Sequence, residues 1–228
     1  MQPYFFPYVG YFQLINSVDV FVFYDDVNFI KRGWINRNNI LVNSEASMFS
    51  IPLIKASQNK LINEIELGYD EKWVQKFFIT LEHSYKKAPY FNPVFNLVQE
   101  VFNQSHKTIA DLTMSSVVRT ADYLGLTTRF EVSSKQFSET KGMDRADRLI
   151  EICRLLNAET YINPTGGREL YNKPYFKERQ IELMFIENKF FPYKQFEGNF
   201  IPGLSIIDLL MFNSPEQVKE LLNHYTLN

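Results

Sequence analysis

An α/β protein with a mostly parallel, Rossmann-like sheet and a helical insert or cap of about three helices is what this sequence predicts, on three observations. The runs DVFVFYD (residues 19–25) and IELMFI (181–186) are apolar, β-rich and short, the character of strands buried on both faces. From residue 129 onward, strand-like and helix-like stretches alternate. Between 70 and 125, three helical patterns follow one another with no strand between them, which reads as an insert beside the sheet. No internal repeat or linker divides the 228 residues, so 1–228 is read as a single domain carrying that insert.

The elements follow in order. Pro3 and Pro7 forbid a regular helix at the start, and residues 12–17 suit a short one. After the strand at 19–25, strand-like runs occupy 39–42 and 48–54, and INEIEL (62–67) alternates as a half-exposed strand does. Asp70 caps a helix whose Trp73, Phe77, Leu81 and Tyr85 share one side. Asn92-Pro93 reads as a cap followed by a first-turn proline, and Thr108 with Asp111 as a capping pair for a helix that Gly125 ends. A strand at 129–133, a helix at 144–156, strands at 160–163 and 181–186, a helix at 205–211 and a final helix opened by Ser214-Pro215-Glu216-Gln217 complete the chain.

Composition excludes some functions. Lys and Arg number 24 against 26 Asp and Glu, and no cationic run exceeds two residues, so the electrostatic footprint of a DNA-binding protein is missing. A single phosphate-bearing small molecule needs only a few local cations and stays compatible. Cys153 is alone, which rules out an intramolecular disulfide and suits a reducing compartment. With no signal-like leader and no apolar run near the ~20 residues of a spanning helix, the expectation is a cytoplasmic protein without a transmembrane segment. The 21 Phe and 13 Tyr read as a Phe-rich core, or as a cleft lined with rings that stack on a sugar or base.

Four segments carry candidate chemistry. In QPYFFPYVGYF, two prolines stiffen the backbone, Gly10 allows a close approach, and Gln2, Tyr4 and Tyr8 offer amide and phenol hydrogen bonds where the loop leads into a helix. Asp25 and Asp26 end the first clear strand; as neighbours on a strand they point to opposite faces, so they suit a proton acceptor better than a shared metal. Lys31, Arg32, Asn36 and Arg37 put three cations and an amide within seven residues, fit for phosphate or carboxylate. Gly166, Gly167 and Arg168 follow the strand TYIN, where paired glycines let backbone N–H groups converge on an anion. Each has a plainer alternative: a packed arm, a strand-end turn, a solvated loop and a tight turn. His83, His106 and His224 lack zinc spacing, so no metal is expected. Cys153 falls on the apolar side of its helix, as a core residue does.

The stretches QPYFFPYVGYFQLI, DVFVFYDDVNFIKRGWINRNNI, YKKAPYF, AETYINPTGGREL and FIPGLSIIDLLMFN resemble, in order, the signature segments of the WbqC-like family of bacterial surface-polysaccharide clusters. Members of that family carry a few apolar residues ahead of the Gln-Pro motif as a first strand. Here Met1 stands directly before Gln2, so that strand is expected to be shortened or the start internal. The resemblance implies a part in making or modifying a surface sugar such as O-antigen. The segments above then suit an enzyme, a transferase or ligase, that adds an acyl or aminoacyl group to a nucleotide-linked amino sugar, with ATP or an activated acyl donor as co-substrate. The alternative is a non-catalytic binding or scaffold partner of other glycan-biosynthesis enzymes; a transferase using aminoacyl-tRNA is a third reading, against which the mild acidity weighs.

Overall fold

Residues 1–8 run through the middle of the molecule in the structure, a computed structural model that describes residues 1–228. The prolines keep this segment out of a helix, and Phe5 and Phe6 are completely buried. A buried non-helical backbone must find partners elsewhere. Phe5 donates to the Ile35 carbonyl at 3.1 Å, and the Pro7 carbonyl accepts from Ile206 at 2.9 Å. Phe6 donates to Ser116 Oγ at 3.0 Å, and its carbonyl accepts from Asn38 Nδ2 at 2.7 Å and Ser205 Oγ at 2.7 Å. Helix α1, Val9–Asn16, then turns back under the sheet; the Cβ that any other residue would have at position 10 would strike the Tyr8 ring and the Asn188 amide, so Gly10 does allow the close approach expected of it.

Strand β1 is Val20–Phe23, and its apolar run leads to a hairpin of β2, Arg37–Val42, and β3, Glu45–Ser50. Asn43 and Ser44 both have positive φ, the backbone that a two-residue hairpin turn matched to strand twist requires. The second hairpin strand therefore lies earlier than the sequence pattern suggested. INEIEL is not a strand: Ile62–Glu64 is a single 3₁₀ turn. Its apparent alternation has another cause, because Ile62 and Ile65 reach the core from one tight turn that Glu64 fastens by accepting from Leu61 N–H at 2.9 Å.

Helices α2 (Glu71–Tyr85), α3 (Phe91–Asn103) and α4 (Ile109–Tyr123) are the three consecutive helices of the middle. Asp70 and Thr108 cap as expected, the latter in a reciprocal box with Asp111. Asn92 does not: α3 starts at Phe91, and Pro93 sits inside the first turn, where its missing N–H costs nothing. These helices share one core of 37 buried residues with the opening segment, and Phe77 lies against Phe5 and Phe49. Most of the aromatic content is spent here.

The second half holds β4 (Arg129–Val132), α5 (Ser133–Gln136), α6 (Arg145–Leu155), β5 (Thr160–Pro164), α7 (Lys173–Lys177), β6 (Glu182–Asn188), α8 (Ile206–Phe212), α9 (Pro215–Leu222) and β7 (Tyr225–Leu227). Strands β1 and β4 pair in parallel, β5 and β6 pair in parallel, and β7 adds antiparallel to β6. The result is a mixed α/β protein with three small sheets, and the single, mostly parallel sheet expected from the sequence is not formed. A cavity lies between β1 and β5, bordered by residues of both strands. Only Met1 bridges part of that gap. Its amine donates to the Val22 carbonyl at 2.7 Å and its carbonyl accepts from Tyr24 at 2.8 Å, the pattern of one residue of a parallel ladder.

One tie between layers is easily tested. The Tyr85 hydroxyl accepts from Leu41 N–H at 2.7 Å and donates to Asp208 at 2.8 Å, all out of water. Tyr85→Phe leaves a buried donor and a buried carboxylate oxygen short of partners, and is expected to cost about 2–3 kcal/mol in urea unfolding. A loss below about 0.5 kcal/mol would contradict this reading.

Candidate functional site

The ends of the parallel strands are where this chain concentrates polar groups. Beyond β1, Asp25 and Asp26 are 2% and 6% exposed. Asp25 accepts from Ser133 Oγ (3.0 Å), Ser134 N–H (3.0 Å), Ser134 Oγ (2.6 Å) and Asn63 Nδ2 (3.2 Å). Asp26 accepts from Arg148 at 2.6 Å and lies 2.5 Å from Ser133 Oγ, whose one hydroxyl proton is thus shared between the two carboxylates. The strand ends at Phe23, so strand alternation no longer holds the two carboxylates apart, and Ser133 touches both. Ser133 and Ser134 are the first residues after β4, and the network therefore welds the ends of the β1–β4 pair.

Arg148 reaches this network from α6. Its Nε donates to Thr140 at 3.0 Å and its guanidinium lies 4.5 Å from the centre of the Tyr24 ring. Two carboxylates and one guanidinium leave the buried cluster with a formal negative charge, offset by the hydroxyl and amide donors around Asp25. Half-buried Tyr24 is the outward member. Burial raises its phenol pKa, Arg148 lowers it, and Asp26 and Tyr171 raise it. Tyr171 lies edge-on to Tyr161, with ring centres 6.3 Å apart, and burial raises its phenol while Arg145 lowers it.

Beyond β5, residues 165–167 form a 3₁₀ turn. The Cβ of any larger residue at Gly167 would displace the Asn163 amide from its present position, whereas Gly166 meets nothing nearby. Arg168 is exposed, its guanidinium 5.6 Å from the centre of the Phe185 ring, and it makes no ion pair. At the end of β6, Asn188 packs beside Tyr8, whose ring lies 6.1 Å from that of Phe190. Tyr4 stacks near Tyr11 at 5.6 Å, and the Gln2 carbonyl accepts from the Tyr11 hydroxyl at 2.8 Å.

The basic stretch behaves differently from its sequence reading. Arg37 turns inward and donates to the carbonyls of Gly33 (3.0 Å) and Arg32, while Asn36 donates to Ser50 Oγ at 3.2 Å and to the Ile51 carbonyl at 2.9 Å. These two residues shape their loop, and Lys31 and Arg32 stand exposed on it. A cavity of about 410 Å³ joins Met1, Tyr24, Asn163 and Pro164, but none of the site residues read from the sequence lines it, neither the basic four nor those of the opening segment, the aspartate pair and the diglycine turn. The structure thus unites the opening segment with the ends of β1, β5 and β6. It ties the basic loop to that segment through Phe5 and Ile35, yet leaves the basic side chains outside the cavity.

Sequence reasoning missed Ser133, Ser134, Arg148, Tyr24 and Tyr171. A signal existed for Arg148, a cation four residues before Ile152 on the buried side of an amphipathic helix. Cys153, on that helix, is buried with its thiol pushed up to about 11 by burial, which makes it inert at neutral pH.

The chain is a mixed α/β protein whose buried polar network closes the ends of the β1–β4 pair. Residues 2–220 match the WbqC-like protein family, and the chain belongs to it. It is 27% identical over 227 residues to the uncharacterized protein Rv1507c of Mycobacterium tuberculosis (strain ATCC 25618 / H37Rv), across 98% of this chain and 96% of that one. No solved structure matches. No helix is long and apolar enough to cross a membrane.

Arg148→Met strands Asp26 as an unpaired buried charge and is expected to cost about 3–5 kcal/mol in chemical denaturation. Adding Asp26→Asn should recover a large part of that loss. A double variant no more stable than the single one would contradict the pairing.

Proposed function

We propose that this chain modifies a nucleotide-linked amino sugar in surface-polysaccharide synthesis by transferring an acyl or aminoacyl group to the sugar amine. The observation that carries this reading is that Tyr24 and Asn163, at the ends of β1 and β5, line one cavity, while the Asp25–Asp26 network and the Gly166–Arg168 turn follow directly after those two strand ends in the chain. Arg168 and the backbone of the diglycine turn suit phosphate, with exposed Lys31 and Arg32 as outer cations; Gln2, Tyr4, Tyr8 and Tyr24 suit hydroxyls and a ring face. Amide formation needs a neutral amine, an activated acyl carbon held against it and a group to take the amine proton. In this reading Asp25 takes the proton through the Ser134 hydroxyl, which is half-buried and 2.6 Å from it. ATP, through an acyl adenylate, or a preformed acyl donor supplies the activation, and as the C–N bond forms the bond from the acyl carbon to AMP or to the donor's carrier breaks.

A second reading has its own support. All four oxygens of Asp25 and Asp26 already accept internal hydrogen bonds, which fits a rigid non-catalytic partner of glycan-biosynthesis enzymes as well as a catalyst.

A thermal-shift panel of UDP- and dTDP-amino sugars, followed by product mass with ATP and amino or acyl donors, tests both. A ligand at about 100 times its Kd adds about 2.7 kcal/mol, which for a chain of this size raises Tm by about 5–10 °C. Arg168→Ala should abolish that rise without lowering the Tm of the free protein. A shift with no product favours the binding partner, and neither shift nor product across the panel contradicts the sugar-nucleotide reading.

A further inference from the structure

We infer that residues 190–204 form a lid over a cavity beside α1, α8 and α9, and that Asp208 is its latch, holding the lid shut when protonated and easing it open when charged. Three observations define the lid. Between β6 and α8, residues 190–204 make no main-chain to main-chain hydrogen bond, while the residues at either end are pinned. Lys189 donates to the His224 carbonyl at 3.0 Å, and Ser205 donates to the Asn39 carbonyl at 2.8 Å. A connection this long without secondary structure of its own is uncommon in a compact domain unless it serves a function. The segment also covers a space. Phe191, Phe200 and Leu204 line one side of that cavity, and Gln13 of α1, Leu209 of α8 and Leu221 of α9 line the other. Gly203, at φ +72° with nothing near its missing Cβ, supplies a free joint beside the pinned end.

The third observation is how the lid is fastened. The Tyr193 hydroxyl donates at 2.5 Å and the Gln195 amide at 2.8 Å, both to one oxygen of Asp208. Gln195 also braces the lid from within, accepting from Ile201 N–H at 2.9 Å and donating to its carbonyl at 3.2 Å. The remaining polar contact with the body is the exposed one from Ser44 Oγ to the Glu197 carbonyl at 3.3 Å.

Asp208 is fully buried in the first turn of α8. The groups that face it are Tyr85 of α2 at 2.8 Å and Tyr193 and Gln195 of the lid, and no Lys, Arg or His pairs with it. A carboxylate taken out of water without a cation keeps a hydration cost that neutral donors offset only in part. Lifting the lid removes two of those donors and returns water to the charge. The neutral acid has far less hydration to regain, so the closed state holds the proton more tightly than the open one. Burial accordingly raises the Asp208 carboxyl above its ordinary value. The sign follows: closure is fully favoured below the ordinary carboxylate range and weakens as pH rises through the raised value. None of this depends on the sugar-nucleotide reading, and the test uses no sugar.

The test is brief digestion by proteinase K at pH 5 and pH 7.5, with cut sites read by mass. Each rate is divided by that of a synthetic peptide of residues 188–206 at the same pH. The native chain is expected to be nicked within 190–204 about threefold or more faster at pH 7.5 than at pH 5, and Asp208→Asn to be slow at both. His224, whose ring centre lies 4.5 Å from that of Phe191, titrates in the same interval, so the pH step must also survive His224→Gln. Equal relative rates at the two pH values, loss of the step in His224→Gln, or cuts spread over the whole chain would overturn the proposal. So would Asp208→Asn being nicked as fast as the native chain at pH 7.5. If Asp208→Asn does not fold, the native and His224→Gln comparisons decide the matter.

Discussion

The fold depends on one constraint, that the backbone of residues 5–7 is buried without belonging to a helix or strand. Burying a peptide group without a hydrogen bond is costly, so every element around this segment is positioned to supply one. The basic loop gives Ile35, β2 gives Asn38, α4 gives Ser116, and the start of α8 gives Ser205 and Ile206. These donors and acceptors lie as many as 199 residues from the segment they satisfy. The aromatic opening is therefore the axis around which the central helices, the hairpin and the C-terminal helices are arranged. Phe6 adopts a positive φ there, which a non-glycine residue holds only where its surroundings fix it.

The same logic shapes the strand ends. Two adjacent carboxylates were drawn below 7% exposure, and the chain compensates with four serine or asparagine donors' bonds to Asp25 and a guanidinium on Asp26. That network is rigid. Its outer surface, Tyr24 and the half-buried Ser134, is what a ligand would meet. Asp208 shows the contrast: buried with Tyr85, Tyr193 and Gln195 as its donors and no cation, its carboxyl is raised above the usual range chiefly by burial, and it serves to tie the 193–201 segment to α2 and α8.

Local signals were legible and long-range ones were not. Asp70, Thr108–Asp111 and Ser214–Gln217 announced their helices because a capping box is complete within four residues. INEIEL misled because Ile65 and Leu67 alternate around Glu66 as on a strand, whereas the isoleucines three apart belong to a single tight turn, and only the contact with the core decides. The type of the parallel strands was readable from their apolar runs, but their division among separate sheets was not, because no pattern in 19–25 or 160–163 encodes which strand pairs with which. For the site, Asp25, Asp26 and the diglycine turn stood out by residue type. The inward turn of Arg37 and Asn36 did not, since a basic cluster looks the same whether its side chains meet an anion or cap their own loop.

The most direct measurement of the central claim, that ligand binds at the carboxyl ends of the parallel strands, is a crystal structure with a UDP-amino sugar bound. The account places the diphosphate at Gly166–Arg168 and the sugar beside Tyr24 and Ser134. A nucleotide seated instead on the exposed face of the hairpin, or against Lys31 and Arg32 alone, would contradict it.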